Sequence, residues 1–199
     1  MPIPRRPPAR DAELLAASVR AFAARGYFGT STAQVAAEMG VSQPYVIRTF
    51  GSKLELFVRT HAFAAAAIVE AFSAAVADGF DGDRLGSAYR QLVLSNPAAL
   101  LVWAHAFSAA TAEPVIGAES RRQFDDVYRT LRATGASDAE LWAFMGRGML
   151  INNLLLMQAP RFADDYDFAP LVDLVFGGRP AASPHPAPLA PPPPPSGVT

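Results

Sequence analysis

Ser31, Ser52 and Ser137 are each followed three residues later by a side chain that can close a capping box: Gln34, Glu55 and Glu140. A serine at that position accepts from an amide that the first helical turn leaves without a partner, and the later side chain reaches back to the serine amide. This punctuation sets helix starts near residues 32, 53 and 138. Between them, Val, Ile and Thr never alternate with polar residues long enough to suggest a strand. The chain therefore reads as all-α, with about nine helices. They fall at 11–25, 32–39, 43–50, 52–77, 84–94, 98–111, 115–134, 138–159 and 169–176. Gly26, Gly40 and Gly135 sit where a left-handed residue ends a helix. Asn96-Pro97 separates the fifth helix from the sixth. The organisation expected is a basic arm over 1–9, a helix-turn-helix domain over 10–56, a helical body over 57–178 and a Pro-rich tail over 179–199. Arm and tail are expected to be disordered, because repeated proline removes amide donors and favours polyproline II over a packed element.

Net charge is −1 over 199 residues, but it is unevenly placed. Arg5, Arg6, Arg10, Arg20, Arg25, Arg48, Lys53 and Arg59 outnumber Asp11, Glu13, Glu38 and Glu55 in the first 60 residues. The remainder carries the acidic excess. A basic head on an acidic body points to a polyanion as the partner of the head. There is no cysteine, so disulfides and thiolate metal sites are out of reach. The first residues put no apolar run behind their charges, unlike a signal peptide. The apolar stretch 97–112 is interrupted by His105 and shorter than a membrane span needs. A cytoplasmic protein without membrane contact is the expectation.

Catalysis finds no support. His61, His105 and His185 have no second ligand at metal spacing, and Asp125-Asp126 and Asp164-Asp165-Asp167 read as a solvated face and a loop. No phosphate loop, nucleophile elbow or dinucleotide fingerprint occurs. Neither catalytic residues, nor a cofactor, nor a metal is expected.

The informative segment runs from Gly26 to Phe50. Two short helices joined through Gly40-Val41-Ser42 have the length and turn of a helix-turn-helix. Val35, Ala36, Met39, Val41, Val46 and Phe50 supply a shared core, and Pro44 falls in a first turn, where its missing amide costs nothing. Gln43, Pro44, Tyr45 and Thr49 then point outward. An ordinary helical hairpin with a solvated face has the same spacing.

The stretch from Leu14 to Leu56 resembles the DNA-binding domain of the tetracycline-repressor (TetR) family. The matching positions are Ala16, Phe22, Gly26-Tyr27, Ser31-Thr32, Val35-Ala36, Gly40-Val41-Ser42, Phe50, Ser52-Lys53 and Leu56. The resemblance implies that Gln43 and Pro44 meet base edges, with Gln suited to adenine. It implies that Tyr45 adds an apolar face to the groove and that Lys53 binds backbone phosphate, with Thr32 and Tyr27 as further phosphate candidates. Ile47 and Thr49 stand where the family usually has phosphate-holding aromatic or histidine residues, and Arg48 with the arm is expected to compensate. The family also implies a ligand-binding body and a homodimer through helices 8 and 9. A palindromic operator and release by a small apolar or aromatic effector follow from it too. The expected pocket lining is Trp103, Phe107, Phe124, Tyr128, Trp142, Met145 and Met149, with His105 beside them. Helix 8 is apolar around most of its circumference, more than one half-exposed helix needs.

Overall fold

A computed structural model describes residues 9–76 and 79–176. The expected arm up to Pro8 and the expected Pro-rich tail lie outside those residues. Ten α-helices and one 3-10 turn make up the described chain, with no strand among the described residues. They are α1 (Ala9–Gly29), α2 (Thr32–Met39), α3 (Gln43–Phe50), α4 (Lys53–Ala75) and α5 (Gly82–Ser95). There follow α6 (Pro97–Ala109), α7 (Pro114–Arg132), α8 (Asp138–Leu156), α9 (Ala159–Phe162), the turn Ala163–Asp165 and α10 (Ala169–Phe176). The all-α expectation holds, with one helix more than foreseen. The eighth helix stops at Leu156 instead of running to 159, because Gln158 is left-handed (φ 53°) and Pro160 opens the short α9. A proline supplies no amide and restricts the residue before it, so one helix cannot pass through. The ninth expected helix is thus α10.

Ser31 and Ser137 form complete capping boxes. Ser52 forms half of one: it accepts from the Glu55 amide at 3.1 Å, but its hydroxyl donates to the Glu55 carboxylate, which does not reach back to the Ser52 amide. Ser42 is the N-cap of α3 by conformation, without a side-chain hydrogen bond. Gly26 leaves helical geometry as expected (φ 64°, ψ −170°), and a further turn, Tyr27 to Gly29, resumes beyond the kink.

Helix α4 organises the molecule. It packs on α1, α5, α6 and α7 and buries Leu56, Phe57, Ala64, Ala65, Ile68 and Phe72. By length and composition it could cross a membrane, but this face is core. Its first turns close the head, where Phe57 meets Phe22 edge-to-face at 4.9 Å with both rings fully buried. Thr60 donates to Ser18 at 3.0 Å inside this contact, pinning α4 to α1 with a satisfied polar pair. The far half joins the body core around Ile68, Phe72, Trp103, Leu131 and Phe144.

The other tie between head and body is α1 on α6, the most extensive helix pair. There the His105 Nε2 lies 3.1 Å from the carbonyl of Ala23, and the ring sits over the bend at Gly26. A Cβ on Gly26 would come within 3.0 Å of the His105 Nδ1, so both backbone conformation and space call for glycine.

Candidate functional site

Helices α2 and α3 meet across Gly40, which is left-handed (φ 68°) and donates to the carbonyls of Ala36 and Ala37. Val35, Ala36, Val46 and Phe50 are buried between them. That leaves the opening turn of α3 to solvent: Gln43, Pro44 and Arg48 are exposed, and Ile47 is 41% exposed. Gln43 donates to the Thr32 hydroxyl at 2.8 Å, which fixes its amide and leaves the carbonyl oxygen and one N–H outward. Two sequence-predicted outward residues are less outward than expected. Tyr45 and Thr49 are half-buried, because Tyr45 packs against the head core.

Cations gather at this end of the molecule. Arg10 and Arg48 both lie over the Tyr45 ring, at 5.9 and 5.4 Å. Lys53, the first residue of α4, lies 4.4 Å over the ring of Tyr27. Arg20 and Arg59 are spoken for by Glu38 at 2.6 Å and Asp11 at 3.9 Å. The basic residues left without a carboxylate partner among the described residues therefore include those around α3 and the start of α4. A helix N-terminus carrying Lys53 and open amides suits a phosphate. Tyr27 is placed differently from the phosphate role foreseen for it. It is half-buried, and burial followed by the adjacent Glu113 carboxylate raises its pKa. Since Glu113 precedes α7, Tyr27 touches the body.

The body holds a cavity of about 360 Å³ among α4, α5, α6, α7, α8 and α10, within the size range of small-molecule sites. Its interior is apolar: Ile68, Phe72, Trp103, Val127, Leu131 and Phe144. A second, more open cavity of about 430 Å³ lies between α6 and α7 and shares Phe124 and Met149 with the first. Of the seven lining residues expected from sequence, Trp103, Phe124, Met145 and Met149 line the first cavity. Phe107 and Tyr128 line the second. Trp142 lines neither; it is 83% exposed, on the face of α8 turned away from the core. His105 serves the α1–α6 contact instead of a pocket. Sequence reasoning did not find Arg90, Arg147 or the buried Tyr89, whose hydroxyl donates to Asn152 at 2.7 Å. Tyr89 and Asn152 stand 63 positions apart in the sequence, and no local pattern announces the pair. No group of three His, Asp or Glu suited to a metal exists among the described residues.

A helical bundle that only needed to pack would have no reason to hold out one helix end ringed by unpaired cations. The head has the form of a helix-turn-helix DNA-binding domain, joined by a through-going helix to a body with a cavity. Residues 14–60 match the family model described as bacterial regulatory proteins, tetR family. The match covers the head alone and marks residues 14–60 as similar to the DNA-binding domain of TetR-family transcriptional regulators.

Solved structures extend the likeness in fold to the body. A TetR-like transcriptional regulator from Rhodococcus sp. RHA1 is 23% identical, with a TM-score of 0.57 over 87% of this chain and 95% of that one. The fatty acid degradation regulator FadR from Bacillus halodurans is 15% identical, with a TM-score of 0.56 over 87% and 95%. A putative transcriptional regulator from Saccharomonospora viridis, in complex with choline, is 21% identical, with a TM-score of 0.54 over 74% and 83%. No curated protein matches the chain.

Proposed function

We propose that this protein is a dimeric, ligand-released repressor. Two copies of α3 occupy successive major grooves of a palindromic operator, and an effector in the body cavity weakens that binding. The observation that carries the reading is α4, one unbroken helix with Lys53 on the DNA side and Ile68 and Phe72 on the cavity wall. An effector that favours a different seating of Phe72 shifts α4, and with it the spacing of the two heads, toward a form that fits the operator less well. Gln43, Pro44 and Tyr45 read bases, while Thr32, Arg48, Thr49 and Lys53 hold the backbone.

Self-association is supported by α8. Trp142, Gly146, Leu150, Asn153 and Met157 recur at spacings of three, four, seven and eight, which puts them on one stripe. All five are exposed. Leu174 of α10 is 79% exposed. An apolar stripe of this length on a subunit marks an interface, and a second copy supplies the partner through α8 and α10. Gly146 has nothing within 4 Å of its Cβ position, which leaves room for close helix approach.

The test is fluorescence anisotropy of the purified protein on DNA flanking its own gene, at two salt concentrations with random competitor. Saturable binding that survives competitor, weakens with salt and is abolished by a Gln43→Ala/Lys53→Ala pair supports the reading. Equal binding to random DNA, or binding indifferent to that pair, rejects it in favour of a helical binding protein without an operator.

A further inference from the structure

We infer that the body cavity takes an anionic amphiphile, a carboxylate carried on an apolar body, in preference to a neutral or cationic molecule of the same shape. The inference rests on the reading of the cavity as an effector site and assigns the chemistry of its ligand. The cavity is polarised. Its deep wall, from Ile68, Phe72, Trp103 and Leu131, is apolar apart from the single indole N–H of Trp103, so an apolar segment is at home there.

The polar groups of its lining lie on α5 and α8 and are mostly donors. Arg90 and Arg147 belong to the lining, are exposed, and have no carboxylate within ion-pair distance among the described residues. Arg90 spends one N–H on the Ser87 hydroxyl, and Arg147 reaches the start of α5 beside Gly82. Asn152 is 2% exposed and lines the same space. Its oxygen already accepts from the Tyr89 hydroxyl, so what it offers the cavity is the amide NH₂.

Against these donors stands one acidic lining residue, Asp83. It is exposed at the opening turn of α5, as the two arginines are on their own helices, so two guanidinium groups outnumber one carboxylate in the lining. Two guanidinium groups and a buried amide, all donating, leave one class of head group satisfied: an acceptor with negative charge, for which a carboxylate is the compact choice. A neutral hydroxyl meets fewer of them, and an ammonium group meets two like charges.

The two tryptophans allow a direct reading. Trp103 lines the cavity and Trp142 is exposed, so in a Trp142→Phe background the emission reports Trp103 alone. Decanoate, decanol and decylammonium, titrated below their aggregation thresholds, share a tail and differ in the head. Decanoate is expected to quench Trp103 saturably and to bind roughly tenfold or more tightly than decanol, with decylammonium weakest. An Arg90→Gln/Arg147→Gln pair is expected to lower decanoate affinity by roughly tenfold or more and leave decanol affinity unchanged. Because both side chains are exposed, the substitutions spare the core. Arg84→Gln, an exposed arginine of α5 outside the lining, is the control and is expected to change neither. Decanol or decylammonium binding as tightly as decanoate, or decanoate indifferent to the arginine pair, overturns the anionic class while leaving an effector cavity in place. No quenching by any of the three overturns both the class and the cavity as a site for such ligands.

Discussion

The head and the body bury apolar surface to different ends. In the head, Phe22, Val35, Val46, Leu56 and Phe57 close on one another at 1% exposure or less. In the body, Ile68, Phe72, Trp103, Leu131 and Phe144 surround a void of about 360 Å³. A domain that must match the width of a DNA groove gains from rigid close packing, since an ångström of play spoils base contacts. A core built around a void of this size keeps part of its wall unpartnered, and gives up the dispersion contacts that a filled core would make. One chain thus holds a closed core and an open one, joined through α4.

Core truncation should separate them most strongly. Phe22→Ala is expected to cost about 3–5 kcal/mol in urea unfolding, with loss of DNA binding, because the site has no room to relax. Phe144→Ala, whose ring already faces the cavity, is expected to cost at least ~1 kcal/mol less, since fewer contacts are lost. Equal losses would break the comparison.

Acid should sharpen it. His61 is fully buried on α4 and stacks on Trp103 with ring centroids 5.4 Å apart. Neither ring nitrogen has a hydrogen-bond partner among the described residues. Burial lowers its pKa from 6.5 to about 4; the nearby Glu119 opposes this and Arg122 adds to it. The unfolded chain therefore takes up the proton first. The stability that His61 contributes is complete above pH 6.5 and is lost as pH falls toward 4, roughly 3 kcal/mol in all. Near-ultraviolet circular dichroism of Trp103 should show the body loosening before the head, and His61→Phe should flatten the profile. Some slope should persist in that variant, because burial also lowers the His105 pKa. An unchanged profile in His61→Phe would remove the body's special acid sensitivity.

The junction comes next in size. Gly26→Ala forces a side chain into a left-handed bend and against His105, and is expected to cost about 1–3 kcal/mol. Adding His105→Ala should return the steric part, as a double-mutant cycle on thermal unfolding would show. Strict additivity would mean that the two residues do not meet. The smallest effect belongs to the head surface. Arg20→Ala removes the exposed pair with Glu38 and is expected to change stability by under ~1 kcal/mol.

How far these features could be read in advance follows the same division. The helix-turn-helix was legible because its meaning lies in short-range spacing: Ser31 to Gln34, Gly40 between two helices, Pro44 in a first turn. Helix starts were legible for the same reason, down to Ser137 with Glu140. The cavity was not. Trp142 looks like a lining residue in sequence, and α8 turns it outward, because a helix apolar on most sides does not say which side meets the core. Tyr89 and Asn152 are paired only by the packing of α5 on α8. His105 reads as a pocket histidine until α1 is laid against α6. Ile47 and Thr49 stand out in the sequence as departures, but the approach of Arg10 and Arg48 to the Tyr45 ring depends on where α1 begins.

Lys53 has a practical consequence. It is the only lysine in the sequence, so ε-amine chemistry on this protein is confined to a single side chain at the start of α4. An acylating reagent, read out by intact mass, can modify just that residue and the N-terminus. Reaction at one spot then reports whether the head is covered, with no label to engineer and no background from the body.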